Sequence, residues 1–288
     1  MNLLALQTWK ARACSCLLVF ILAAPASVFC AIVPATLECE VDGVVTGPIR
    51  LTGGVEGNSR SAAQAINLSI LDRRALPFQQ WYFEYGIQSD VYSFTGVSAL
   101  PRRLQDVSGL FAISYFDGTE EVAALTVQPG WYFGHHLTRA AFDVPVEFTA
   151  GIPLADNINA VIGARTSRFF KHPEPIAGFV WQARPFLRIE ATYPEPAVVW
   201  VLNQTAELRI GGDLSGAGFS AELAGKPAIV EYTSYRIGAE FKKTLEPGLQ
   251  LSLGLGVEVE RSFDYFREHQ RFHGSSAPFL KIGVLFKR

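Results

Sequence analysis

The chain predicts an all-β fold: an antiparallel up-and-down transmembrane β-barrel of roughly 12 strands, within a range of about 10–14. Three observations carry that expectation. Residues 249–260 place Leu249, Leu251, Leu253, Leu255, Val257 and Val259 on alternate positions, with Gln250, Ser252, Gly254, Gly256, Glu258 and Glu260 between them. Strand side chains alternate between faces, so this is a strand with one oily and one polar side. At about 3.3 Å per residue it runs some 40 Å, enough when tilted to cross the ~25 Å apolar band of an outer-membrane barrel. The second observation is the spacing of connections. Short ones at 117–119, 153–156, 203–205 and 246–248 alternate with long or polar ones at 132–141, 170–175 and 264–275. Outer-membrane barrels have tight periplasmic turns and longer external loops. The third is the placing of aromatic clusters near strand ends: Trp81-Tyr82-Phe83, Trp131-Tyr132-Phe133, and Phe263 with Tyr265-Phe266. Rings at those positions suit the two membrane interfaces.

The first residues read as a targeting segment. Lys10 and Arg12 supply positive charge, residues 16–26 form a short apolar core, and Ala24-Pro25-Ala26 offers a small-x-small cleavage site. Residues 1–30 are therefore expected to be a secretory signal peptide cut after Ala26 or Cys30, and residues 31–47 a short leader. The barrel is expected to occupy residues 48–288 as one domain. Cys14 and Cys16 fall within the signal, so no disulfide framework and no metal-like cysteine spacing remains. The formal charge of −2 suggests no nucleic-acid partner. No stretch past residue 31 offers eighteen apolar residues in a row, so helical membrane spans are not expected.

From Pro48 nearly every segment alternates. Ile49, Leu51 and Val55 oppose Arg50, Thr52 and Glu56; residues 57–60 then turn into Ile66, Leu68 and Ile70. Trp81, Phe83, Tyr85 and Ile87 oppose Gln80, Glu84 and Gln88. Residues 108–116 and 120–131 flank a tight turn at Asp117-Gly118. Val144, Val146, Phe148, Ala150 and Ile152 oppose Asp143, Glu147 and Thr149; Ile158, Ala160, Ile162 and Ala164 oppose Asn159, Arg165 and Ser167. Residues 176–183 and 186–193 read as a hairpin about Arg184-Pro185, and Pro194-Glu195-Pro196 breaks the run before residues 197–202. Leu208 and Ile210 oppose Glu207 and Arg209. By Phe219, Ala221 and Leu223 the apolar parity has changed, which predicts a bulge at Gly211-Gly212. Tyr235, Ile237, Ala239 and Phe241 oppose Ser234, Arg236, Glu240 and Lys242, and Leu280, Ile282, Val284 and Phe286 form the last strand. Fourteen segments count from Pro48 and twelve from Gln79; twelve is the expectation, because the first pair is the least regular.

From about Gly96 onward a set of short motifs appears in order: Ala99-Leu100-Pro101 with Arg103-Leu104-Gln105, Pro129-Gly130-Trp131-Tyr132, Ala141-Phe142-Asp143-Val144-Pro145, and Tyr193-Pro194-Glu195-Pro196. Gly211-Gly212, residues 231–238 (EYTSYRIG), Phe263-Asp264-Tyr265 and Ala277-Pro278-Phe279-Leu280-Lys281 follow. Through these the chain resembles a family of uncharacterised outer-membrane β-barrel proteins of diderm bacteria, classed as a domain of unknown function. The resemblance implies a barrel in the outer membrane and no activity. It departs at residues 223–229, which are shorter than the family pattern, and in the N-terminal third.

The functional expectation is a non-enzymatic outer-membrane protein: a narrow pore, a transporter of a small or apolar solute, or a structural barrel. Glu207, Arg209, Arg236, Glu240, Glu258 and Glu260 are the candidate lumen-facing residues. The alternatives are a lipid hydrolase or acyltransferase at the rim and a soluble periplasmic β-sandwich binding protein. Ser275 and Ser276 lie near His273, but nothing resembles a nucleophile elbow. His135, His136, His172, His269 and His273 all fall in expected external loops, where solvated histidines are the simpler reading than a metal site. No cofactor or metal is expected. The expected partners are outer-membrane lipid and the barrel-assembly machinery, which would read the C-terminal strand ending at Phe286.

Overall fold

A computed structural model describes residues 36–52, 59–77, 80–95, 100–117 and 120–288. The segment read as a signal peptide lies outside these residues. Among them fourteen antiparallel strands close into one barrel, two more than the twelve expected. They are β1 (Thr36–Thr52), β2 (Ser59–Ala75), β3 (Trp81–Phe94), β4 (Arg103–Asp117), β5 (Glu120–Val127 with Gly130–Phe133), β6 (Phe142–Asp143 with Val146–Ala155) and β7 (Ile158–Thr166). Next come β8 (Glu174–Arg184), β9 (Leu187–Tyr193), β10 (Ala197–Asn203), β11 (Ala206–Leu223), β12 (Lys226–Glu246), β13 (Leu249–Tyr265) and β14 (Gln270–Gly274 with Ala277–Lys287). Each split strand keeps a common neighbour across its break. Both parts of β5 pair with β4, and both parts of β14 pair with β1 and β13.

The two extra strands are β1 and β2, the pair that alternates in the sequence but that the count of twelve sets aside as the least regular. Thr46 and Ile49 flank a register shift in β1, and that shift scrambles a simple alternation. The same finding corrects the leader. Residues 36–47 are the first strand, and Glu38–Thr46 pair with Lys287–Phe279 of β14 to shut the barrel. The last two residues are also in the ladder: Arg288 N–H donates to the Leu37 carbonyl at 2.9 Å, and Leu37 N–H to the Arg288 carbonyl at 3.0 Å. Both described ends therefore meet at one rim, the periplasmic one in proteins of this architecture. Connections at that rim are short, as Pro247-Gly248 and Gln204-Thr205 show; Gly248 holds a φ of +88°, where a Cβ would run into the Lys287 carbonyl.

The aliphatic face points outward. Leu253 and Leu255 are 55% and 66% exposed, and Ile237, Phe241, Ile282 and Phe148 join them around the wall. A soluble sandwich would bury that face, so the outward orientation matches a lipid-facing barrel. Inside, Gly238 and Gly256 sit opposite one another, and a Cβ on either would strike the Phe279 ring. The glycines are bare because an aromatic side chain lies across them.

The wall is not of even height. β10 pairs with β11 only as far as Ala197 opposite Gly211, yet β11 continues to Leu223. Above Gly211 it leaves its neighbour and meets the top of β5: Ser220 pairs with Phe133 in parallel, and Gly134 N–H donates to the Ser220 carbonyl at 2.9 Å. The five strands β1–β5 and the four strands β11–β14 thus form a narrower upper barrel of nine, standing on a lower one of fourteen. Strands β6–β10 stop below it and leave a notch in the wall.

Amphipathicity inverts between the two levels. On β11, Leu208 and Ile210 face out and Glu207 and Arg209 face in; higher up, Ala217, Phe219, Ala221 and Leu223 are buried inside while Ser220 and Glu222 face out. The β11–β12 ladder runs from Ala206 to Leu223 without a register shift, so the bulge expected at Gly211-Gly212 is absent. What changes is the surroundings, not the strand. β12 repeats the pattern, with Ile237 and Phe241 outward below and Ala228, Val230 and Tyr232 inward above.

Candidate functional site

The upper barrel is filled. Tyr92 and Phe94 of β3, Tyr132 of β5, Phe219 of β11, Tyr232 of β12 and Phe263 of β13 form one aromatic cluster, with Tyr232 4.9–5.1 Å from the Tyr92, Phe94 and Phe263 ring centres. Phe219 and Phe263 are fully buried. Packing of this kind is that of a protein core, and among the described residues it fills the axis at this level.

Below the cluster the lumen is open and charged. A cavity of about 370 Å³ is lined by Glu207, Arg209, Arg236 and Glu240, four of the six residues expected to face inward. Ion pairs join them to neighbours: Arg236 to Asp213 at 2.7 Å, Glu240 to Lys281 at 3.1 Å, and Lys242 to Glu207 and Glu240 at 4.0 Å. Lys281 also reaches Asp42 at 3.3 Å, while Arg209 donates to the Gly212 carbonyl. A second cavity of about 330 Å³ shares Glu195, Asp213, Arg236 and Lys281 with the first and extends past Asp42, Asp90, Glu147 and Arg165. There Asn67 and Gln88 donate to the Asp90 carboxylate.

Glu258 and Glu260 part company. The register of β12 and β13 shifts so that Tyr235 opposes Glu260 and Arg236 opposes Glu258, leaving Val259 as the extra residue of a bulge. Below it even-numbered residues face in; above it Arg261, Phe263 and Tyr265 do. Glu258 is fully buried and receives both ends of the Arg261 guanidinium, Nε at 2.7 Å and Nη2 at 2.9 Å. Glu260 is outside the lumen, against Arg271 at 3.6 Å and His273 at 3.7 Å. Its assignment to the polar face continued the alternation through a bulge that the sequence does not announce.

The notch leads from the lumen to the exterior. A third cavity of about 260 Å³ shares Glu147, Arg165, Glu195 and Leu214 with the second; it is bounded by Glu174, Pro175, Tyr193 and Pro194. A fourth, about 430 Å³, shares Glu174, Pro175, Tyr193 and Leu214 with the third and lies over the outer faces of Thr233, Tyr235, Glu260 and Asp264. Each of these four spaces shares lining residues with the next, in an order that leads from the lower lumen by way of the notch to the surface above the aliphatic belt. The segment between β7 and β8 roofs the passage. Ser167 donates to the Asp143 carboxylate, Arg168 to the Ala140 carbonyl, and Phe169 lies on Gly218, where any Cβ would strike it. Lys171 reaches over the wall, its N–H to Glu231 at 3.0 Å and its ammonium to Asp264 at 3.6 Å.

Several residues that matter here were passed over in the sequence reading. Lys281, Arg188 and Glu190 alternate with lipid-facing neighbours, so the same parity rule finds them. Asp42 was hidden in the supposed leader. Glu195 sat between two prolines and read as punctuation. The five histidines are all near the rim opposite the termini, with the His135 and His136 rings 4.3 Å apart. Among the described residues no group of three His, Cys, Asp or Glu is placed to hold a metal. Ser275 serves the backbone: its Oγ accepts from Arg50 N–H at 3.1 Å, while His273 turns to Glu260.

No family model matches the chain, and no curated protein sequence does. The motif resemblance therefore stands without a matching family, and solved structures supply the comparison. The COG4313 outer membrane channel from Pseudomonas putida F1 is similar over 92% of this chain and 100% of that one, at a TM-score of 0.54 and 13% identity. The toluene transporter TodX of Pseudomonas putida aligns over 93% and 92% at a TM-score of 0.42 and 9% identity. The outer membrane protease OmpT of Escherichia coli aligns over 91% and 99% at a TM-score of 0.31. At such identities the likeness concerns fold alone, and only the first is close enough to weigh. It agrees with the strand pairing and the outward aliphatic belt: the chain has the fold of an outer-membrane β-barrel.

Proposed function

We propose that this protein is an outer-membrane channel for small hydrophilic solutes, entered through the side of its wall rather than along its axis. One observation supports the reading: the upper bore is packed with aromatic rings, while adjoining cavities lead from the charged lumen by way of the notch to the surface near the rim opposite the described ends. Of the solutes that the sequence leaves open, a lining of paired Arg, Lys, Asp and Glu favours water-soluble ones, because an apolar molecule would have to displace water from ionic groups without replacing its hydrogen bonds. The similar solved structure bears the name of an outer membrane channel, which agrees. The reading places the chain in the outer membrane of a diderm bacterium after signal-directed export. The assembly machinery would take up β14, whose Leu280, Ile282, Val284 and Phe286 face out.

Proteoliposome swelling tests the reading. Refolded protein whose barrel migrates faster in unheated than in heated detergent samples should admit small sugars and amino acids, at rates falling with solute size. A folded barrel that admits none of them would sink the proposal and leave a structural role.

A further inference from the structure

We infer that the channel selects cations, and that the selecting group is the carboxylate of Glu195 at the inner end of the side passage. Among the described residues Glu195 alone lines all three inner spaces: the lower lumen, the middle lumen and the gap at the notch. Any solute crossing from the notch to the periplasmic side passes it. The turn that carries it, Pro194-Glu195-Pro196, joins β9 to β10 at the foot of the notch, and its side chain is exposed to the lumen. Among the described residues Glu195 forms no ion pair. Lys281 is held between Asp42 and Glu240 and Arg236 holds Asp213, while Arg209 donates to the Gly212 carbonyl and keeps its charge. In the gap itself the Arg165 guanidinium stands among three carboxylates, Glu147, Glu174 and Glu195, so the charge at the junction is negative.

An unpaired carboxylate beside a narrow aqueous path raises the local concentration of cations and repels anions. On the Coulomb scale of a water-filled space, one charge at about 6 Å changes an ion's occupancy roughly threefold, and reversing that charge changes it about tenfold. The favoured solutes are small cations, including organic molecules carrying an ammonium group. This inference rests on the conducting reading above and adds the chemistry of what passes.

The test is the reversal potential of purified full-length protein in a planar lipid bilayer across a KCl gradient. Wild type should prefer K⁺ over Cl⁻. Glu195→Gln should reduce that preference about tenfold, since K⁺ loses and Cl⁻ gains about threefold each, and Glu195→Lys should lower it about a hundredfold. Glu207→Lys, farther from the junction, should change it less. Heat-modifiable migration establishes that each variant is folded, and the neutral Gln variant serves where Lys fails to fold. Conductance with no cation preference, or with a preference that folded Glu195 variants leave unchanged, overturns the selectivity assignment while the channel stands. A folded wild-type barrel that neither conducts nor supports swelling overturns both.

Discussion

The two levels of this barrel are built on opposite rules. Below Gly211 the wall has fourteen strands, its aliphatic side chains face out, and its charges face in. Above it nine strands remain, their aromatic and aliphatic side chains face in, and Ser220, Glu222, Glu231 and Asp264 face out. Each arrangement follows from what lies on either side of the sheet. Where lipid is outside, apolar outward residues cost nothing and ionic groups gather in the water of the lumen. Where water is on the outside, the interior must supply the apolar environment, and a ring of nine strands is narrow enough to be filled by rings. The same ladder carries both rules, as β11 and β12 show by passing from one to the other without losing register. A barrel strand therefore does not have one oily face. It has an oily side at each height, set by where the apolar medium is.

The largest expected effects come from breaking the upper rule. Phe219→Ala removes a fully buried ring from the centre of the aromatic cluster and should cost about 3–5 kcal/mol, as large-to-small core changes do. Its readout is a lower temperature for loss of the folded, fast-migrating form, together with an added axial conductance. A comparable loss is expected for Glu258→Gln. That change takes the carboxylate from a buried bidentate pair with Arg261, and breaking such pairs costs roughly 3–5 kcal/mol. Chemical unfolding in detergent or lipid measures it.

The lower rule is tested on its outward face. Leu253→Arg, at a side chain 55% exposed in the aliphatic belt, should cost about 2–4 kcal/mol in a bilayer and much less in a detergent that lets the charge reach water. Equal stability in both media would place Leu253 outside the belt. The smallest effect should come from Glu260→Gln, since its contacts with Arg271 and His273 lie on the surface; a change below about 0.5 kcal/mol is expected. Glu258 and Glu260 are two residues apart, so a similar loss at both would contradict the bulge at Val259.

The sequence showed the lower level well and the upper level poorly. Where one medium is apolar and the other aqueous, parity alone separates Leu251, Leu253, Leu255 and Val257, which are exposed, from Glu207, Arg209, Arg236 and Glu240, which line the lower cavity. Parity fails where the medium changes. Phe219, Ala221 and Leu223 looked like evidence of a bulge, but the strand is unbroken and its buried side has become the inner one. At Val259 the error ran the other way, because a real bulge left the pattern looking regular for one residue too many. The side passage was illegible for a further reason. It is made by strands that stop short and by Glu195 in a proline turn, and strand length above the membrane leaves no hydrophobic signature.

The claim that solute enters through the wall and not the mouth is tested most directly by single-channel recording of two cysteine variants in a Cys30→Ser, Cys39→Ser background. Leu214 lines the middle lumen, the gap and the outer cleft, so Leu214→Cys should be reached by a membrane-impermeant methanethiosulfonate added from the extracellular side, with a sustained fall in conductance. Val230→Cys sits in the filled upper bore and should stay unmodified, its conductance unchanged. Block through Val230→Cys with Leu214→Cys insensitive would show an open axis and a closed wall, and would contradict the account.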